Sequence, residues 1–184
     1  MIAIELRCDS RIYHLDLQHR VTHIVGNSGT GKTTMYDDLI QFDTNSEIAK
    51  DKYSLQAPDG FILKPIESGA LDILLQLENV SEMAKQLFHI PEGYKPVYVV
   101  DEDILAGDIN RFKKWVQASN DMFIISSRSF INVEPTPMDS IVTLQSIRSG
   151  EEYHYYLNRL YDKDDVQNFI KSSLNLKDTT HLFS

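Results

Sequence analysis

The spacing of apolar residues changes period several times along the chain. Ile2–Arg7 and Arg11–Leu17 alternate apolar with polar residues, the two-residue period of a half-buried strand, and the turn Cys8-Asp9-Ser10 joins them. Val21–Val25 is a third short strand. The stretch from Lys32 to about Phe42 reads as a helix. Asp43 to Gly60 is polar and irregular apart from a short strand near Tyr53–Leu55, and Phe61–Pro65 is another strand. Leu71, Leu74, Leu77, Val80, Ala84 and Leu87 then recur at helical spacing. They predict one long helix from Ser68, its N-cap, to about His89, where Pro91-Glu92-Gly93 breaks the pattern.

The second half repeats this alternation. Val97–Val100 and Met122–Ser126 are continuous apolar runs, as expected of strands covered on both faces, and a helix from Ile104 to about Ala118 separates them. Ile141–Ser146 and Tyr153–Leu157 are β-type runs around the turn Arg148-Ser149-Gly150, and Asp164–Leu174 predicts a closing helix. Strands alternating with helices predict an α/β fold: a three-layer α/β/α arrangement with a mostly parallel central sheet, preceded by antiparallel N-terminal strands. The expectation is one domain spanning residues 1–184.

Composition narrows the function classes. The chain has 184 residues and a formal net charge of −9, which disfavours broad binding to nucleic-acid backbones. Its one basic cluster, Arg111-Phe112-Lys113-Lys114-Trp115, has the spacing of an amphipathic helix with Phe112, Trp115 and Val116 turned inward. A single cysteine, Cys8, excludes an internal disulfide. No apolar run is long enough to span a bilayer, and Met1-Ile2-Ala3-Ile4-Glu5 lacks the cationic start of a signal peptide. The expected location is the cytoplasm, without membrane insertion.

The candidate chemistry lies in Gly26-Asn27-Ser28-Gly29-Thr30-Gly31-Lys32-Thr33, which matches G-x-x-x-x-G-K-[ST], the Walker A phosphate-binding pattern, at every fixed position. It follows the strand Thr22-His23-Ile24-Val25 and opens a helix, as the pattern requires. Glycines let the loop turn its N–H groups toward a phosphate chain, where they add to the positive end of the helix dipole. Lys32 supplies a cation to the terminal phosphates, Thr33 a hydroxyl to Mg²⁺, and Thr34 continues the binding surface into the helix.

A second motif complements the first. Val97-Tyr98-Val99-Val100-Asp101-Glu102 is an apolar strand ending in two acids, a Walker B pattern. Ligands of open parallel sheets gather at the carboxyl ends of strands, so Asp101 is expected to face the loop as a Mg²⁺ partner, with Glu102 polarising the attacking water. Asp103 is expected to cap the following helix. The strand Met122–Arg128 should bring its polar end to the same edge, with Ser126 or Ser127 near the γ-phosphate and Arg128 either neutralising transition-state charge, in cis or across an interface, or forming a surface salt bridge. Tyr13 or Arg11 can stack on a base, although core packing is the simpler reading of Tyr13.

On these residues the chain resembles P-loop NTPases of the additional-strand, catalytic-glutamate division, which includes ABC-type and AAA-type ATPases. The resemblance implies ATP and Mg²⁺ as ligands, hydrolysis as the reaction, and a cycle coupled to a partner protein or to a nucleotide-dependent homodimer. Phe123–Arg128 together with Gly150–His154 also looks like small stand-alone ATPases. Departures from the ABC pattern are plain. The nearest signature candidate, Glu67-Ser68-Gly69-Ala70, lacks its second glycine, Gln56 is a weak match to the coupling glutamine, and no histidine follows Ile124–Ser126. The AAA pattern would need a C-terminal helical lid. Two other readings stay open: a P-loop kinase for a small metabolite, for which no arginine-rich lid is present, and a nucleotide-dependent interaction module with negligible turnover. The Asn-Lys-x-Asp guanine-reading pattern is absent, which favours ATP over GTP.

Overall fold

The computed structural model describes residues 1–105 and 108–159. The helix expected over Asp164–Leu174 lies outside the described residues. The chain opens with β1 (Ile2–Cys8), β2 (Arg11–Leu17) and β3 (Val21–Val25), followed by α1 (Lys32–Asn45). Strands β4 (Tyr53–Gln56) and β5 (Phe61–Pro65) precede α2 (Ser68–Leu74) and α3 (Val80–Leu87). Strand β6 (Lys95–Asp101) runs directly into the short α4 (Glu102–Leu105); α5 (Ile109–Ala118), β7 (Met122–Ser127), β8 (Ile141–Ser149) and β9 (Glu152–Arg159) complete the described chain.

All nine strands among the described residues join one mixed sheet in the order β4-β1-β2-β9-β8-β3-β7-β6-β5. The segment β3-β7-β6-β5 is parallel, whereas β1 pairs antiparallel with both β2 and β4, and β8 with β9. The C-terminal hairpin enters the middle of the sheet, with β9 beside β2 and β8 beside β3. Helix α1 touches β4 and β5, the two edge strands, as well as β1, β6 and β7. The sheet therefore curls around this helix.

This architecture corrects the three-layer, mostly parallel expectation. Among the described residues only four helices reach seven residues, and strand predominates. The physical reason lies in the connections. Turns or loops, not crossover helices, join β1 to β2, β2 to β3, β4 to β5 and β8 to β9, so five of these strands, β4, β1, β2, β9 and β8, form a half-sheet that, apart from contacts of α1 with β1 and β4, has no helix layer of its own among the described residues. The predicted long helix is also divided. Leu71, Leu74 and Leu75 are buried at the α2 end, but Leu77 and Leu87 are exposed, and α3 buries only Ala84 fully. Two short helices bury these anchors separately.

Two apolar clusters flank the parallel strands. Val97 and Val99 of β6 and Ile124 of β7 meet Met35 and Leu39 of α1 inside the curl, together with Leu6, Tyr13 and Leu15. Tyr98, Val100, Phe123 and Ile125 point the other way, onto Phe112, Trp115 and Val116 of α5 and Leu71 and Leu74 of α2. Burial on both faces explains the continuous apolar runs of these strands. Asp108 caps α5, accepting a hydrogen bond from the Arg111 N–H at 3.1 Å. Among the described residues no helix is long and apolar enough to cross a membrane.

Candidate functional site

Strand register brings the two sequence motifs to one edge. Val25, the last residue of β3, lies beside Ser127 of β7, and Ser126 lies beside Asp101 of β6. The glycine loop, the Ser127-Arg128 turn and the Asp101-Glu102 acids therefore leave the sheet together. They line a cleft of about 290 Å³ whose walls include Ser28, Gly29, Thr30, Gly31, Lys32, Thr33 and Thr34.

The loop's shape depends on its glycines. Gly26, Gly29 and Gly31 have φ of 147°, 90° and 91°, in the region that side chains disfavour. Gly31 is the N-cap of α1 and accepts the Met35 N–H at 2.8 Å. It also has no room for a side chain, because a Cβ there would lie 2.7 Å from Cε1 of Tyr155. Lys32 folds back over the loop. Its Nζ donates to the carbonyls of Gly26 at 2.6 Å and Asn27 at 3.0 Å, and to Thr30 Oγ1 at 3.2 Å. Gly26 and Asn27 thus contribute by holding the lysine and do not border the cleft. Burial lowers the Lys32 pKa, opposed by the nearby charges of Glu102 and Asp101.

On the acid side, Asp101 is buried and its pKa is raised by that burial. Two hydrogen bonds favour its charged form: the Asp103 N–H donates to Oδ1 at 3.2 Å and the Ser126 hydroxyl to Oδ2 at 3.4 Å. Asp101 therefore does the capping that the sequence suggested for Asp103. Glu102 is the first residue of α4, with both carboxylate oxygens held by Arg128. The Arg128 N–H donates to Oε2 at 2.7 Å, and Arg128 Nε lies 3.2 Å from Oε1. Ser127 Oγ is buried without a hydrogen-bond partner among the described residues, and its residue borders the cleft.

The other sequence candidates fall elsewhere. Tyr13 is fully buried and donates to Asp38 Oδ2 at 2.5 Å, while Arg11 holds the same carboxylate through Nε and Nη2, each at 2.6 Å. Both residues tie β2 to α1, and neither is placed to stack on a base. Gln56 and Gly69 do not border the cleft. Sequence reasoning missed Ser146 and Tyr155, which line the cleft from β8 and β9. No local pattern marks them, since only the pairing of the C-terminal hairpin between β2 and β3 brings them there.

The donor set suits a hard cation held partly by its ligand. Thr33 and Asp101 supply oxygen, and no group of three or more His, Cys, Asp or Glu side chains forms a metal cage among the described residues. Mg²⁺ bound through one or two protein oxygens plus phosphates and water is compatible with such a set. Comparison with models of protein families and with curated proteins finds no match for the chain.

Proposed function

We propose that this chain binds ATP·Mg²⁺ through the Gly26–Thr33 loop and hydrolyses it slowly, using the cycle to change the state of a partner protein or of a homodimer in the cytoplasm. One observation carries the reading: the loop with its lysine, two acids and one arginine, from three separate stretches of sequence, line a single cleft. In this reading Lys32 leaves the Gly26 and Asn27 carbonyls for the β- and γ-phosphates, which are stronger acceptors for a cation. The loop N–H groups and the start of α1 hold the same phosphates. Thr33 and Asp101 are the protein oxygens for Mg²⁺, which neutralises phosphate charge when bound.

Glu102 is the group to orient and polarise water. Its carboxylate is engaged by Arg128, which makes the resting protein a slow enzyme. Transfer of the Arg128 guanidinium from Glu102 to the γ-phosphate would release Oε1 for water, leave Oε2 positioned by the backbone N–H, and place a cation on the developing charge.

Phosphate release from ATP, measured with and without Mg²⁺ and with candidate small-molecule acceptors, tests the reaction class. Free phosphate that requires Mg²⁺ and is lost in Glu102→Gln is the expected result. Transfer of the phosphoryl group to an added acceptor would establish a kinase instead, and tight binding with no turnover an interaction module.

A further inference from the structure

We propose that the β8–β9 hairpin carries the nucleoside end of the cleft, with Tyr153 and Arg148 forming a platform on which a purine base stacks. This rests on the phosphate-loop reading above. The acids and Arg128 lie on the β7–β6 side of the loop, so a nucleotide with its terminal phosphate there directs its nucleoside to the opposite side. On that side of β3 stand β8 and then β9. The cleft extends that way, to Ser146 and Tyr155.

The hairpin overhangs the loop. Strand β8 runs parallel to β3, with Ile24 beside Val142, so the residues from Leu144 to Ser149 pass beyond the end of β3. Ser146 lies opposite Tyr155 and Arg148 opposite Tyr153. Residues two apart share a face, which puts Tyr153 about 7 Å beyond Tyr155 along β9, on the same side of the sheet and farther past the end of β3.

The two tyrosines are not equivalent. Tyr155 is already engaged, stacked on Tyr13 at 4.7 Å and set against Gly31. It is a wall. Tyr153 is 39% exposed, with the Arg148 guanidinium 5.7 Å from its ring centre. Its backbone is fixed by donation to the Ser10 carbonyl at 2.8 Å. Arg148 makes no ion pair among the described residues and bonds only the Gly150 carbonyl there, at 3.1 Å, in a chain of net charge −9. An exposed aromatic ring with an unneutralised guanidinium suits a flat, electron-rich ring attached to an anion. Stacking reads the face of a base and not its edge, so the platform accepts adenine and guanine alike and holds the smaller pyrimidines less well.

Calorimetry with Mg²⁺ and ATP, GTP, CTP or inorganic tripolyphosphate tests this on wild type, Tyr153→Ala, Arg148→Gln and Lys32→Ala, with Tyr94→Ala as the exposed-tyrosine control. We expect ATP and GTP to bind within about threefold of each other and CTP about fivefold more weakly. Tyr153→Ala should weaken ATP about fivefold or more and leave tripolyphosphate and the control unchanged. Should Tyr153→Ala lower the melting temperature, Arg148→Gln carries the test, with the same selective loss expected. If Lys32→Ala weakens both ATP and tripolyphosphate while Tyr153→Ala and Arg148→Gln spare both, the base platform is wrong and the phosphate loop stands. If wild type binds neither ligand, the phosphate-loop reading fails and this inference with it.

Discussion

Arg128 holds both carboxylate oxygens of Glu102, one through its backbone N–H at 2.7 Å and the other through Nε at 3.2 Å. The Arg128 side chain is 69% exposed, so the ion pair itself adds little stability. Its importance is positional, because it joins the acid that would act on water to the cation that would act on phosphate. Arg128→Ala should lower turnover about tenfold or more while changing ATP affinity less than about threefold. Steady-state hydrolysis set beside calorimetric binding separates the two quantities, and an equal loss in both would mean that Arg128 is a binding residue only.

Glu102 and Asp101 should also part company. Glu102→Gln keeps the shape of the side chain and removes the base, so ATP binding persists and hydrolysis falls by two orders of magnitude or so. Asp101→Asn removes a charge from the cleft that Thr33 also lines and should impair Mg²⁺-dependent binding and turnover together. Hydrolysis at the wild-type rate in Glu102→Gln would remove the catalytic role.

Gly31 meets two constraints, a φ of 91° and the Tyr155 ring. Gly31→Ala should destabilise the fold by about 1–2 kcal/mol from the backbone conformation alone, and more if Tyr155 cannot shift. Urea denaturation gives the value. Gly31→Ala combined with Tyr155→Ala should recover part of any clash but none of the backbone cost.

Acid sensitivity has a definite source. His23 is fully buried beside Phe130 with neither ring nitrogen hydrogen-bonded among the described residues, and burial lowers its pKa from 6.5 to about 4. Between those values the unfolded chain binds a proton at this residue and the folded chain does not, so acid favours unfolding. Stability from His23 is flat above about pH 6.5 and declines toward pH 4, by at most about 3 kcal/mol. Asp139 and Glu152, held below the usual carboxylate range by His19 and Arg7, are lost only at lower pH. Urea midpoints from pH 7.5 to 4.5 should show the decline, and His23→Leu should flatten it.

Local pattern made much of the site legible. The loop glycines and Lys32 form one contiguous run and the two acids another, and strands β6 and β7 are apolar because both of their faces are covered. The position of Arg128 followed from where polarity returns after Ile125. What sequence could not give is pairing. Alternation makes Tyr153–Leu157 a strand but does not name its neighbour, and only its seat beside β2 brings Tyr155 to Gly31. The same gap led to the wrong layer count, since the period of a strand is silent on whether a helix covers it. Core packing, the simpler reading of Tyr13, agrees with its full burial and with Asp38, well inside α1, holding its hydroxyl. The helix break between Leu74 and Val80 was hidden because the apolar spacing continues through it.

The central claim is that Gly26–Thr33 binds the phosphates of ATP, and calorimetry of ATP·Mg²⁺ with wild type and Lys32→Ala tests it most directly. Lys32 is the cation folded over the loop carbonyls, and its removal leaves the phosphates without that charge. The account predicts saturable 1:1 binding to wild type and at least about tenfold weaker binding to Lys32→Ala, on the order of 1.4 kcal/mol or more. Equal affinity in the two proteins, or no binding to a folded wild type, would contradict it.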